Sequence, residues 1–230
     1  IAYRFLFRRS QQIVALSDGS RLGVQHLGNF DDITIVMPCF IDFSNVPEKS
    51  PSSTSNFKIG YLGALLESKG LGTIYETALK LPEHEFVLVG DMLTEAESDG
   101  LIRQISDLPN VTLAGSMAHF PALEIIASCN ALLFPSHSEG FPLAVVEAMA
   151  IGLPVVASPV GAIPEMIDTP DGGYLIQPND IDGYVAALKE LSADPSLASK
   201  IGAHSKDRAR ALYAYKDVIA RWRDLYISIS

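Results

Sequence analysis

Glu139 and Glu147 stand with seven residues between them in the stretch from Ser136 to Ile167, SHSEGFPLAVVEAMAIGLPVVASPVGAIPEMI. A short loop of Gly140, Phe141 and Pro142 leads from Glu139 to a helix expected over Leu143–Ile151, which carries Glu147. An apolar strand run, Asn130 to Pro135, comes directly before, and a second, Pro154 to Ser158, follows. A strand, a glycine-containing turn and a helix start form an anion site, because the first N–H groups of a helix lack intrahelical partners. Two acids beside that site oppose phosphate unless hydroxyl groups lie between, and carboxylates are strong acceptors for such hydroxyls. A ligand that carries phosphate and hydroxyls together, as a sugar nucleotide does, satisfies both demands. Plainer roles also exist: Glu147 as an acid favoured in a first helical turn, and Glu139 as a helix cap.

Other residues are placed to join this chemistry. Gly60-Tyr61-Leu62-Gly63 closes an earlier strand, and Lys69-Gly70 opens the next helix. The spacing is not G-x-G-x-x-G, so no dinucleotide fingerprint is present. Lys69 reads either as the counter-charge of a diphosphate or as a solvated lysine. A cation at a helix start opposes the helix dipole and needs another benefit. Gly90-Asp91 reads as a turn before it reads as a ligand contact. Met117, after Gly115-Ser116, either flanks a base at the strand ends or is buried. His119, His137 and His204 show no metal spacing, and His137 reads as a loop residue rather than a general base. No Gly-x-Ser-x-Gly elbow supports hydrolase chemistry.

The elements that must hold these residues follow from patterning. Short apolar runs alternate with helical patterns from Phe57 onward, the mark of a doubly wound parallel sheet in an α/β, Rossmann-like fold. Strands are expected at Phe57–Leu62, Glu85–Val89, Val111–Ala114, Ala131–Phe134, Pro154–Ala157 and Tyr174–Ile176. Helices are expected at Lys69–Lys80, Glu95–Asp107, Phe120–Ser128, Leu143–Ile151, Ile181–Ser192 and Ser196–Ala211. A last helix, Tyr215–Tyr226, places Val218, Ile219, Trp222, Leu225 and Tyr226 on one apolar face. Before Phe57, Gln12–Ser17 and Ile33–Met37 read as strands with a helix at Ser20–Leu27 between them. Pro47, Pro51 and Ser52–Ser55 read as a linker. Residues 1–50 are therefore taken as the tail of a preceding domain with its hinge, and 57–230 as an independent domain. Arg4, Arg8 and Arg9 in Ile1–Ser10 suit the end of a helix from that preceding domain better than a membrane-facing helix.

Composition narrows the classes. Hydrophobic residues are 48% and charged residues 19% of 230, as in a globular α/β protein. A formal net charge of −10 disfavours a nucleic-acid surface. Cys39 and Cys129 are too few and too isolated for a disulfide framework or zinc site and read as structural thiols. No run approaches the ~20 apolar residues that span a bilayer, and no signal pattern opens the chain. The expected location is cytoplasmic, with the inner membrane face as an alternative station.

The Glu139-x7-Glu147 element, with Glu147-Ala-Met-Ala-x-Gly-x-Pro-Val-Val-Ala and Gly161-Ala-x-Pro-Glu165, resembles the C-terminal, donor-binding domain of family-four GT-B retaining glycosyltransferases. The likeness extends through Gly63…Lys69-Gly70, Leu88-Val89-Gly90-Asp91, Asp168…Gly173-Tyr174-Leu175-Ile176 and the closing aromatic helix, and so spans residues 57–230. The resemblance implies sugar transfer from a UDP-, GDP- or ADP-sugar to a glycan, lipid or small-molecule acceptor, with no metal and no cofactor. It implies that Lys69 binds the diphosphate and stabilises leaving-group charge, and that Gly63 and the backbone of Phe141, Pro142 and Leu143 approach the donor. Glu139 would hold donor-sugar hydroxyls near the reacting carbon, Glu147 the ribose hydroxyls, and Met117 the base edge. The acceptor, and any peripheral membrane contact, would belong to an N-terminal domain outside this chain.

Two departures bear on activity. Family members commonly carry Arg directly after the glycine at position 63, where this chain has Ala64. Loss of one charge-assisted contact is worth roughly 1.5–3 kcal/mol, about one to two orders of magnitude in binding or rate. Lys58 and Arg103 are the candidate replacements. The second departure is Pro142, often Gly in relatives, which has no N–H to offer phosphate. Two alternatives remain beside the transferase: a non-catalytic nucleotide-sugar-binding module, and an epimerase or phosphorylase on the same architecture.

Overall fold

The computed structural model describes residues 6–50, 56–92, 96–168 and 170–229. The expectation for the linker Ser52–Ser55, for the first five residues and for Glu95 lies outside them. Two parallel sheets are present. The smaller pairs β1 (Ile13–Ala15) with β2 (Thr34–Val36) across helix α1 (Asp18–Gln25). Ser17 caps α1 by accepting the Ser20 N–H at 3.0 Å, the usual role of serine at that position.

The larger sheet has six strands. In chain order they are β3 (Lys58–Leu62), β4 (Glu85–Val89), β5 (Val111–Gly115), β6 (Ala131–Phe134), β7 (Val155–Ala157) and β8 (Gly173–Leu175). Their spatial order is β5-β4-β3-β6-β7-β8, all parallel. Parallel strands covered on both faces need apolar residues throughout, which is why β4, β6 and β7 read as unbroken Val, Leu and Phe runs. The intervening helices are α2 (Leu71–Lys80), α3 (Ala96–Ser106), α4 (His119–Ala127), α5 (Leu143–Ile151), α6 (Ile163–Met166), α7 (Ile181–Ala193), α8 (Pro195–Tyr213) and α9 (Tyr215–Ser228).

Helix α5 lies at the centre of the core. Seven of its nine residues, Val145 to Ile151, are buried, so a helix apolar on all sides has no solvent face to present. Gly152, at φ 94°, ends it in the left-handed cap that glycine favours. Gly202 of α8 lies against that cap, and a Cβ added there would stand 2.1 Å from the Gly152 carbonyl oxygen.

Several contacts tie the smaller sheet and the segment after it to the larger unit. Both carboxylate oxygens of Glu165 accept N–H groups from the first turn of α1, Asp18 at 2.9 Å and Gly19 at 2.8 Å. Ile41 bridges Ala214 between α8 and α9. Arg221 of α9 donates to the Val36 carbonyl at 2.7 Å.

Most elements begin or end within two residues of the sequence expectation, and two departures bear on the site. Lys69 does not begin a helix: it ends a 3-10 turn (Glu67–Lys69), and Gly70 at φ 80° separates that turn from α2. The four-residue helix α6 was not expected, because Pro164 and the Gly161 turn mask so short a segment.

Candidate active site at the strand switch point

Strands β3 and β6 are neighbours in the sheet, yet the chain leaves them in opposite directions, toward β4 and toward β7. The loops after their carboxyl ends therefore part and leave a crevice, the usual ligand position in open α/β sheets. Gly63–Gly70 forms one wall and Pro135–Pro142 the other.

Lys69 and Glu139 meet across that crevice. The Lys69 Nζ donates to Glu139 Oε1 at 2.9 Å, and the Glu139 side chain is only 10% exposed. Ser136, fully buried, donates its hydroxyl to the same oxygen at 2.7 Å. Two donors on Oε1 fix the carboxylate and leave Oε2 for another hydroxyl. The Lys69 ammonium has three donors, of which Glu139 takes one. The pair touches directly, the ammonium against the carboxylate. Beneath it, Tyr61 donates to the Ala64 carbonyl at 2.7 Å. Burial, and secondly the nearby Glu139 charge, pushes the Tyr61 phenol well above its ordinary range and keeps it a donor.

The candidate anion site is the N-terminus of α5. Pro142 is its N-cap, at φ −74° and ψ 108°, and no side chain caps the helix. The N–H groups of Leu143 and Ala144 precede the first intrahelical bond, Val145 N–H to Pro142 O. Proline at the cap has no N–H, which removes one donor at the helix start and leaves those of Leu143 and Ala144. Glu139 is not the cap that one reading allowed, since its carboxylate bonds Lys69 and Ser136. The loop is pinned from β7's side: Ala162 N–H donates to Gly140 O at 3.0 Å. Gly161, at φ 57°, lies so close that a Cβ would stand 2.4 Å from Glu139 O.

Glu147 occupies the second turn of α5, not the first, so a helix-dipole role does not account for it. It is 8% exposed. Its Oε1 meets His119 Nε2, in the first turn of α4, at 2.6 Å. Met117, two residues earlier, is half-buried against the core. Phe141 packs edge-on against Tyr213, ring centroids 5.6 Å apart. It borders a cavity of about 520 Å³ shared with Asp18, Glu165, Arg208 and Arg221. Leu143, exposed, borders an apolar groove of about 600 Å³ with Leu16, Phe40, Trp222 and Tyr226. Trp222 stacks on Tyr226 there, centroids 6.0 Å apart.

Other sequence candidates lie elsewhere or serve packing. Gly63 and Gly90 are in contact: a Cβ on Gly90 would fall 1.7 Å from Gly63 O, so Gly90 holds the β3 and β4 ends together. Lys58 is the first residue of β3, four residues and thus about 13 Å from its carboxyl end, and donates to Ser128. Arg103 lies in the last turn of α3, and helices of this architecture run back toward the amino ends of the strands. Neither replaces a cation at position 64. His204 pairs with Asp168 at 3.0 Å. His137 Nε2 is buried without a hydrogen-bond partner. Among the described residues no group of three or more His, Cys, Asp or Glu is arranged to hold a metal, and no helix is long and apolar enough to cross a membrane. Sequence reasoning missed the roles of His119 and Ser136. His119 and Glu147 are 28 residues apart on different helices, and no spacing rule links them.

The family model described as "Glycosyl transferases group 1" matches residues 42–208. The chain belongs to this family. Curated members similar to it include the MMP alpha-(1->4)-mannosyltransferase of Mycolicibacterium hassiacum, 31% identical over 144 residues, 62% of this chain and 35% of that protein. The D-inositol 3-phosphate glycosyltransferase of Mycolicibacterium smegmatis is 28% identical over 84% of this chain and 46% of its own length. The chain thus spans less than two thirds of the curated relatives it matches. Among solved structures, the sucrose-phosphate synthase of Thermosynechococcus elongatus superposes with a TM-score of 0.89 at 22% identity, covering 99% of this chain and 60% of that one. HepE of Anabaena, solved with UDP and glucose, gives 0.84 at 22% identity, covering 96% and 64%. At this identity the likeness establishes the fold, and the group 1 members share the doubly wound sheet described above.

Proposed function

We propose that this chain is the donor-binding part of a retaining glycosyltransferase that moves a sugar from a nucleoside diphosphate sugar to an acceptor. The observation that carries the proposal is the uncapped N-terminus of α5, flanked at the switch point by the Lys69–Glu139 pair and by Glu147. In this reading the diphosphate lies at the Leu143 and Ala144 N–H groups. Lys69 bridges from Glu139 to the phosphate with a second ammonium donor. These fixed donors stabilise the negative charge that grows on the leaving diphosphate, without a metal. Glu139 Oε2 accepts from the donor sugar and orients its reacting carbon. Glu147 accepts from the ribose, and Met117 borders the base.

The division at residues 1–50 and 57–230 belongs to the same proposal, with 40–56 as hinge and α9 as strap. So do the retention of configuration, on the Glu139-x7-Glu147 resemblance, and action at the cytoplasmic side on a glycan or lipid. UDP heads the nucleotide candidates because HepE was solved with UDP-glucose and TarM of S. aureus with UDP. Calorimetry with UDP, GDP and ADP tests the proposal. Binding of one of them in the micromolar to millimolar range supports it, and binding of none at millimolar concentration removes it.

Ala64 favours a second reading, a non-catalytic nucleotide-sugar-binding module, because Lys58 and Arg103 lie away from the crevice. Ala64→Arg in the full-length protein separates the two: a large gain in transfer marks an attenuated enzyme.

A further inference from the structure

Glu147 is nearly buried in a helix whose other buried residues are all apolar. A carboxylate taken out of water in such surroundings needs a polar partner, or it is both costly and free to choose its rotamer. The only hydrogen bond seen at this carboxylate among the described residues is the 2.6 Å contact from His119 Nε2 to Oε1. His119 is itself largely exposed, with 70% of its side chain open to solvent. It is the first residue of α4, directly after the β5–α4 turn. The imidazole takes one lone pair of Oε1, so Oε2 and the remaining lone pair of Oε1 stay without a protein partner among the described residues. Two vicinal hydroxyls match that remaining capacity.

We propose that His119 is the positioning residue that holds Glu147 for the two ribose hydroxyls, and so sets a preference for ribonucleotides over deoxyribonucleotides. The inference rests on the reading of Glu147 as the ribose-binding acid. His119 touches the carboxylate and not the reacting atoms, so its effect falls on nucleotide discrimination and not on the chemical step.

Calorimetry on the full chain with UDP and 2′,3′-dideoxy-UDP tests it, using the GDP or ADP pair if the wild type takes those bases. The wild type should prefer the ribonucleotide. His119→Ala should weaken UDP about tenfold, the loss expected when one oriented charge-assisted contact relaxes, and leave the dideoxy compound unchanged. His119→Gln, which keeps a donor near the Nε2 position, should restore most of the preference. In a Glu147→Gln background His119→Ala should have no further effect, because the two act as one unit. A preference that survives His119→Ala overturns the inference and leaves the ribose reading standing. Equal weakening of both nucleotides also overturns it, since that is the mark of a structural role. A wild type that does not distinguish the two nucleotides removes the ribose reading and the inference together.

Discussion

Lys69 and Glu139 are 70 residues apart in sequence, and their side chains are 2.9 Å apart across the gap between β3 and β6. This one pair puts a cation and an anion at the only place in the sheet where neighbouring loops diverge. Its two members should respond differently to substitution. Lys69→Ala should weaken UDP about 10- to 100-fold by calorimetry, because a charge-assisted phosphate contact is lost. Glu139→Gln should leave UDP binding equal or tighter, since one negative charge is gone from the phosphate's neighbourhood. The same variant should lose any extra affinity that a UDP-sugar shows over UDP.

Gly161 is a second lever on the same loop. Its φ of 57° and the 2.4 Å approach of a would-be Cβ to Glu139 O leave no room for a side chain. Gly161→Ala should displace the Glu139 loop, cost about 1–3 kcal/mol of stability, and reduce nucleotide-sugar affinity. Gly202→Ala serves as the contrast, since its clash is with Gly152 O behind α5. It should lower the urea midpoint by a comparable amount with little change in the affinity that remains per folded molecule.

The β4, β6 and α5 boundaries were legible because their physics is local. A parallel strand buried on both faces must be apolar throughout, and a helix with no solvent face must be apolar all round. Glu147 stood out in sequence by its spacing from Glu139 across the loop and helix start. Its partner did not, because His119 arrives through the fold and not through spacing. Ser136 beneath Glu139 was hidden likewise. Lys69 was placed at a helix start because the Leu71–Lys80 pattern runs smoothly into it, and only the positive φ of Gly70 breaks the continuity. The wrong-end positions of Lys58 and Arg103 follow from strand direction, which a list of nearby cations ignores.

Glu165 ends the Gly161-Ala-x-Pro-Glu165 motif and binds two N–H groups of α1. A carboxylate at a helix N-terminus is favoured both by the dipole and by the unpaired donors. Glu165→Ala should lower stability by about 1–2 kcal/mol, read as a lower urea midpoint. Hydrogen exchange should rise in Ser17–Leu22 first, while the amides of β6 and α5 stay protected.

Alkaline pH should destabilise the fold. Burial pushes Tyr184 up from 10.0 to about 12, with Ser158 as its hydroxyl partner, and Tyr213 likewise to about 12. The unfolded chain ionises near pH 10 while the folded one retains these protons. The unfolded state then binds fewer protons, so stability is whole below pH 10 and falls between pH 10 and 12. Tyr184→Phe should make that fall shallower in urea melts taken across the window, at a lower stability near pH 7 from the lost Ser158 bond.

The central claim is that a nucleoside diphosphate binds at the start of α5, and amide NMR reads that place directly. On titration with UDP, GDP or ADP, the Leu143 and Ala144 amides should shift most, accompanied by Lys69, Gly140 and Met117, with Leu16, Phe40, Trp222 and Tyr226 across the groove from Leu143 unaffected. Saturable shifts confined to Leu16, Phe40, Trp222 and Tyr226, or to Asp18, Glu165, Arg208 and Arg221, or no shifts with any of the three nucleotides, would contradict the account.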